Sequence, residues 1–171
     1  MKKKPFPRRY YKKPGDFFRD FSYMMKHRDL IREAMRSEIS YEFRERLMLM
    51  VTEVNGCRYC SYYHAKLALE SGINQEELDQ LLDGTIPKDA PEEEIPALFY
   101  AQHWAEHNAD PEPDIYQKIL NQYGQKRTDA IHIVLRMIRM GNLLGNTLDY
   151  WLYLLSFGYF GLRENEINTN P

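Results

Sequence analysis

Residues 55–64 read Asn55-Gly56-Cys57-Arg58-Tyr59-Cys60-Ser61-Tyr62-Tyr63-His64. Asn-Gly ends one helix or makes a tight turn, because both residues tolerate the left-handed backbone that a helix terminus needs. Beyond that turn a new helix is expected, with Cys57 at or near its N-terminus. On that helix Cys57, Cys60 and His64 fall at i, i+3 and i+7 and share one face. The segment before the turn, from about Ser40 to Val54, carries Phe43, Leu47, Met50 and Val51 at helical spacing. The whole therefore predicts a helical hairpin pivoting at Asn55-Gly56, with a dithiol just past the pivot.

The same periodicity continues outward in both directions. A first helix is predicted from a cap at Asp16 to about Ser37, with Phe17, Phe21, Met24, Met25, Ile31 and Met35 on its apolar side. The Cys-bearing helix should stop before Gly72. Asn74 with Glu77 makes a capping-box-like start for a short helix closed by Gly84. Proline-punctuated chain from Ile86 to Pro91 leads to a helix over about Glu92–Asn108. Another opens at Asp110-Pro111 and stops near Gly124. Thr128 then reads as the cap of a long apolar stretch, Ile131 to Leu155. No run alternates with period 2, so the fold class is all-α, a helical bundle around the CxxC-bearing hairpin.

Composition limits what else the chain can be. Apolar residues at 43% and charged residues at 28% suit one globular domain of 171 residues. The net charge of −2 hides an asymmetry: residues 1–13 hold seven Lys/Arg and no acid, leaving −9 for the rest. We divide the chain into a basic N-terminal tail, 1–15, and a single domain, 16–171. The tail reads as a solvated arm, or as one docking on the acidic body of a neighbouring subunit. Nucleic acid is not expected as a partner. The tail lacks the apolar run of a signal peptide, and no stretch reaches the roughly 18 apolar residues of a spanning helix. A cytoplasmic protein without a membrane partner is the expectation, and in that setting a CxxC pair is catalytic or metal-binding before it is a structural staple. The last apolar stretch should be buried on most sides, in the centre of the domain or in subunit contacts. Gly141 and Gly145 would let another helix approach closely, and a homo-oligomer is expected.

Spacing points to the chemistry. Amides and the helix dipole at an N-terminus favour a thiolate at Cys57. Residues i and i+3 on a helix lie within the Cα range a disulfide accepts, so the pair can close without unwinding. His64 is four residues from Cys60, the contact spacing, and can take and return a thiol proton. Cys60 is therefore read as the activated thiol and Cys57 as its exchanging partner. A base benefits from an orienting group. Glu45 lies three turns before the hairpin and can face His64; Glu53 lies nearer Cys57, at the turn. Tyr59 and Tyr63 are candidates to line a substrate pocket. A zinc site would need Glu45 or water beside three ligands from one helix face, an awkward tetrahedron, so no metal or organic cofactor is expected. His103 and His107 have a spacing that can bind metal, but they lack the H-E-x-x-H order and read as a surface pair. His132 reads as a hydrogen-bonded core histidine, His27 as solvent-facing, and Met35, Met48 and Met50 as core filler.

Arg44-Glu45, then Val54-Asn55-Gly56-Cys57-x-x-Cys60-x-x-x-His64, then Glu70-Ser71-Gly72-Ile73 together resemble the alkylhydroperoxidase D-like group of the carboxymuconolactone decarboxylase superfamily. The stretch Met137 to Asn146 is similar to that group's last long helix. The resemblance implies an all-α bundle that oligomerises through helices, as a dimer, trimer or hexamer. It implies peroxidase-type reduction of a hydroperoxide, with Cys60 oxidised first and Cys57, His64 and Glu45 completing the site. The reductant would be an external dithiol, such as a thioredoxin-like or lipoyl partner. Arg58-Tyr59 stands where some members carry a histidine between the cysteines. Two other classes stay open: a lactone decarboxylase, which needs an acid and a base but no dithiol, and a zinc-stapled or redox-sensing scaffold.

Overall fold

The computed structural model describes residues 5–168; Met1–Lys4 of the basic tail lie outside them. Helices run over Pro14–Lys26 (α1), Arg28–Glu33 (α2, continued by a π-helical turn at Ala34–Glu38), Tyr41–Asn55 (α3), Arg58–Ser71 (α4), Gln75–Leu82 (α5), Ile95–Glu106 (α6), Pro113–Leu155 (α7) and Glu164–Asn168 (α8). Among the described residues there is no strand, and no helix is long and apolar enough to cross a membrane. The all-α expectation holds.

The hairpin of α3 and α4 is built as its sequence suggests. The Ser40 hydroxyl accepts from the Phe43 amide and caps α3. Gly56 ends it in the left-handed region at φ 72°, where a side chain would also strike the Arg8 methylenes. Asn74 caps α5 by accepting from the Glu77 amide.

Three local expectations are corrected. Asp16 does not cap α1; the helix opens with Pro14 and Asp16 sits in its first turn, paired with Arg19. The first helix does not run through to Ser37. It breaks at His27, whose Nδ1 donates to the Tyr23 carbonyl while its ring stacks on Tyr23. Thr128 is not a cap either: α7 bends at Gly124 (φ 70°, ψ 168°) and resumes at once, and the buried Thr128 hydroxyl donates to the Ile119 carbonyl.

The central helix is α3, not the last apolar stretch. Phe43, Leu47, Leu49, Met50 and Val51 are all fully buried, and α3 packs against α4, α5, α6 and α7. Only the first part of α7's long segment is core: Ile131, Ile133, Val134, Leu135 and Ile138 are buried. Beyond it Leu144, Leu148, Trp151, Leu152 and Leu155 lie exposed along one helix face. A hydropathy pattern reports that a surface wants cover, not which element supplies it.

A buried cation ties the bundle together. Arg46 of α3 makes paired bonds to the Glu77 carboxylate of α5 (2.5 and 3.3 Å) and a third to Glu94 (3.0 Å) at the start of α6. Removing one member would strand the others' charge, so this cluster fixes the relative placement of three helices.

The arm over Pro5–Lys13 packs on its own chain. Phe6 and Tyr10 lie against Tyr150 of α7, with the Tyr10 and Tyr150 rings stacked at 4.0 Å. Arg8 is buried and reaches Asp149 (2.7 Å) and Asn146 (3.1 Å). A positive charge flanked by aromatics can enter a protein when a buried carboxylate awaits it, which a solvated-arm reading of the tail does not anticipate.

Candidate active site

Cys57 occupies the N-cap position of α4. Its sulfur accepts from the Cys60 amide at 3.4 Å, as a Ser or Asp oxygen would at a helix start. The two sulfurs lie 2.8 Å apart and are not bonded. Cys57 is fully buried; Cys60 is partly exposed.

The last long helix makes room for both sulfurs. A side chain at Gly145 would meet the Cys57 sulfur at 2.7 Å, and one at Gly141 would touch the Cys60 sulfur at 3.9 Å. These two glycines, one turn apart, are the floor under the dithiol. Between them Asn142 turns inward, fully buried. Its side chain donates to the Thr52 hydroxyl (3.0 Å) and accepts from the Asn55 side-chain amide (3.2 Å).

The electrostatics separate the two thiols. The Cys57 pKa is lowered to about 7, first because the Cys60 thiol hydrogen-bonds to it, with backbone amides of Cys60 and Tyr59 adding to the effect against burial. The Cys60 thiol is pushed up, because it donates to Cys57, is buried, and would be a second negative charge beside the first. The resting charge thus sits on Cys57. Spacing from His64 favours Cys60 as the activated thiol; the helix terminus and the S–H donor outweigh that spacing in the resting state.

Glu45 and His64 meet across the hairpin. His64 Nδ1 lies 2.7 Å from Glu45 Oε2, and the other oxygen of this buried carboxylate accepts from Arg44 Nε at 3.2 Å. With a carboxylate at Nδ1, the ring is held with Nδ1–H donating, and Nε2 is left to exchange a proton. His64 lies one helical turn beyond Cys60. Glu53, the other candidate, takes a different role: it accepts from Ser61 (2.9 Å), faces Arg163 (3.9 Å), and has its pKa raised by burial.

The sequence model of the carboxymuconolactone decarboxylase family matches residues 21–105, a span that includes Glu45, Cys57, Cys60 and His64. The chain belongs to this family. No curated protein and no solved structure matches it.

In this family member the two tyrosines singled out from the sequence part company. Tyr59 donates to Asp149 at 2.9 Å and lies along the seam between α4 and α7. Tyr63 is largely exposed and sets its ring edge-on to His64 at 5.3 Å. The region matched by the family model contains none of α7, yet α7 supplies much of the site. Asn142, Asn146 and Asp149 are fully buried in the otherwise apolar final segment. Asn146 donates to the Asn55 and Arg9 carbonyls (2.8 and 2.9 Å). Asp149 gathers Arg8, Arg58 and Tyr59. The signal was present as polar residues at i, i+4 and i+7 within a greasy helix, the spacing of an inward stripe.

Proposed function

We propose that this protein is a thiol-dependent oxidoreductase that reduces hydroperoxides through a Cys57–Cys60 dithiol–disulfide cycle. The observation that carries the reading is the pair of free sulfurs at 2.8 Å, one turn from a histidine oriented by a buried carboxylate. Cys60 is the sulfur that meets peroxide, since Cys57 is enclosed. Its proton passes to His64 only as its sulfur reaches the peroxide oxygen, so that no second free thiolate forms beside Cys57, and Glu45 steadies the imidazolium that forms. The Cys60 sulfur attacks the O–O bond, becoming a sulfenic acid as the alkoxide departs and takes the proton back from His64. The Cys57 thiolate then attacks the Cys60 sulfur. Hydroxide leaves and takes a proton from solvent, equivalent to the one Cys57 gave up on ionising, so that each peroxide yields one disulfide, one alcohol and one water. An external dithiol reopens the disulfide by exchange. The exposed stripe from Leu144 to Leu155 is where we place contacts between copies in a homo-oligomer.

The test is a free-thiol count with intact mass before and after one equivalent of an organic hydroperoxide. The cycle requires loss of both thiols and a mass decrease of about 2 Da, the two hydrogens of a disulfide. A Cys60→Ser variant with full peroxidase turnover would end it. A Cys57→Ser/Cys60→Ser protein that still turned over a lactone acid would favour decarboxylation, with Glu45 and His64 as the acid–base pair.

A further inference from the structure

Away from the dithiol, the last turn of α6 reads His103-Trp104-Ala105-Glu106-His107. This is H-x-x-E-H, the inverted order of the zinc-binding H-E-x-x-H helix, and it keeps both histidines at i and i+4 on one face. Donor atoms of His103, Glu106 and His107 all lie within 4.8 Å of one another. A second carboxylate comes from the next element. The chain reverses through Asn108 and Ala109, both left-handed at φ 57° and 69°, and brings Glu112 at the start of α7 back over the pair. Its carboxylate lies against His103 Nε2 and 3.5 Å from His107 Nε2.

The bland account is a pair of surface ion pairs, but the orientation of the rings goes beyond it. His107 Nδ1 faces the His103 carbonyl at 2.8 Å, and a carbonyl only accepts, so Nδ1 carries a proton. Nε2 is then the free ligand atom of the ring, and it is turned toward Glu112 at 3.5 Å. The two rings lie side by side, with centroids 4.0 Å apart. One divalent cation placed between them would take an Nε2 from each ring together with a carboxylate oxygen. The Nδ1–H bond to a backbone carbonyl is also the kind of outer contact that fixes a ligating histidine in its metal-binding tautomer. The C-terminal end of a helix adds a favourable dipole for a cation.

We propose that His103 and His107, with the carboxylates of Glu112 and Glu106, form a binding site for a divalent transition-metal ion of the Zn2+ type. Two imidazoles and carboxylate oxygen select such ions over Mg2+ or Ca2+, which prefer all-oxygen shells. The site is separate from the cysteines and does not depend on the redox reading.

Equilibrium dialysis of the full chain against Zn2+, in a Cys57→Ser/Cys60→Ser background, removes the thiols from the count. One ion per chain is expected. Co2+ bound to the protein with its cysteines intact should show ligand-field bands without the sulfur-to-metal charge transfer of a thiolate site. His103→Gln and His107→Gln should each weaken binding by at least the roughly 10–100-fold seen when a mere supporting contact is lost. Glu112→Gln, close in shape and at the surface, should weaken it while leaving the helical circular dichroism unchanged. Failure of the cysteine-free protein to hold Zn2+ would overturn the proposal, as would affinities unchanged by all three substitutions.

Discussion

The two halves of α7 treat a titratable neighbour in opposite ways. Around Ile131–Ile138 the helix is core, and the one ionisable ring there, His132, is kept neutral. Its pKa is lowered to about 4 by burial first, then by Arg136, with Asp129 opposing. It accepts from or donates to Tyr100 at 2.6 Å, among the rings of Tyr100, Trp104 and Tyr116. Around Gly141–Asp149 the same helix turns glycines and amides inward, and the neighbouring Cys57 is lowered to about 7, which favours its charged form. Lowering a pKa suppresses charge on a base and promotes it on an acid. Burial drives the first, and hydrogen-bond donors aimed at the sulfur drive the second. One helix thereby serves as a hydrophobic wall at one end and as the floor of a charged site at the other.

The largest expected effect comes from the polar half. Asp149 is fully buried and neutralises Arg8 while also holding Arg58 and Tyr59. Asp149→Ala leaves a buried guanidinium without that partner, and should cost about 3–5 kcal/mol in denaturant unfolding. It should also free the Pro5–Lys13 arm, seen as faster amide exchange there. Asp149→Ala with unchanged stability and a protected arm would remove the polar half from the comparison.

Next comes His132. Its folded pKa lies below the unfolded value of about 6.5, so the native state resists protonation. Stability is fully present above about pH 6.5 and is lost as pH falls toward 4, by roughly 3 kcal/mol in all. His132→Gln, which keeps a polar partner for Tyr100, should flatten that acid limb when urea midpoints are compared from pH 4 to 7. An unchanged slope would mean that the apolar half does not exclude charge.

Gly145→Ala asks how tightly the floor fits. The added methyl meets the Cys57 sulfur at 2.7 Å and the Tyr59 ring at 3.3 Å, so the sulfur must move. Overpacking of this kind costs about 1–3 kcal/mol. Disulfide formation with peroxide should slow by a larger factor than stability alone explains, while Gly141→Ala, with 3.9 Å of room, should be mild.

This contrast also marks what can be read from the residues. The α3–α4 hairpin, its Gly56 terminus, the Asn74 cap and the facing of Glu45 toward His64 all follow from local rules, because helix spacing and a short turn determine them. The inward polar residues of α7 follow only in part. Taken singly, Asn142, Asn146 and Asp149 look like ordinary surface residues; their shared i, i+4, i+7 face marks a stripe, but what it meets is decided only when α3 and α4 are packed beside it. Arg8 looks like one more charge in a basic tail, since nothing local announces a buried carboxylate 141 residues away. The central place of α3 is hidden for the same reason: Ile131–Leu155 is the longer apolar run, but burial is decided by how many neighbours an element has.

The smallest effect is the most specific to the charged site. Thiolate absorbance of the reduced protein should rise as one proton is lost with a midpoint of about 7, the value set for Cys57 by the Cys60 thiol and the α4 amides. The second thiol should stay protonated through that range, because the first negative charge holds it up. Cys57→Ser should abolish the transition. Cys60→Ser keeps a hydroxyl donor beside Cys57 and should move the midpoint only modestly, whereas Cys60→Ala removes the donor and should raise it. The same shift reaches stability. A folded pKa below the ordinary value of about 8.5 contributes stability that is full above that pH and lost as pH falls through 7, on the order of 1–2 kcal/mol. Wild type and Cys57→Ser should therefore diverge between pH 7 and 9 and run parallel below. A midpoint near 8.5 in the reduced wild type would mean that the floor of α7 and the start of α4 hold the sulfur in place without activating it.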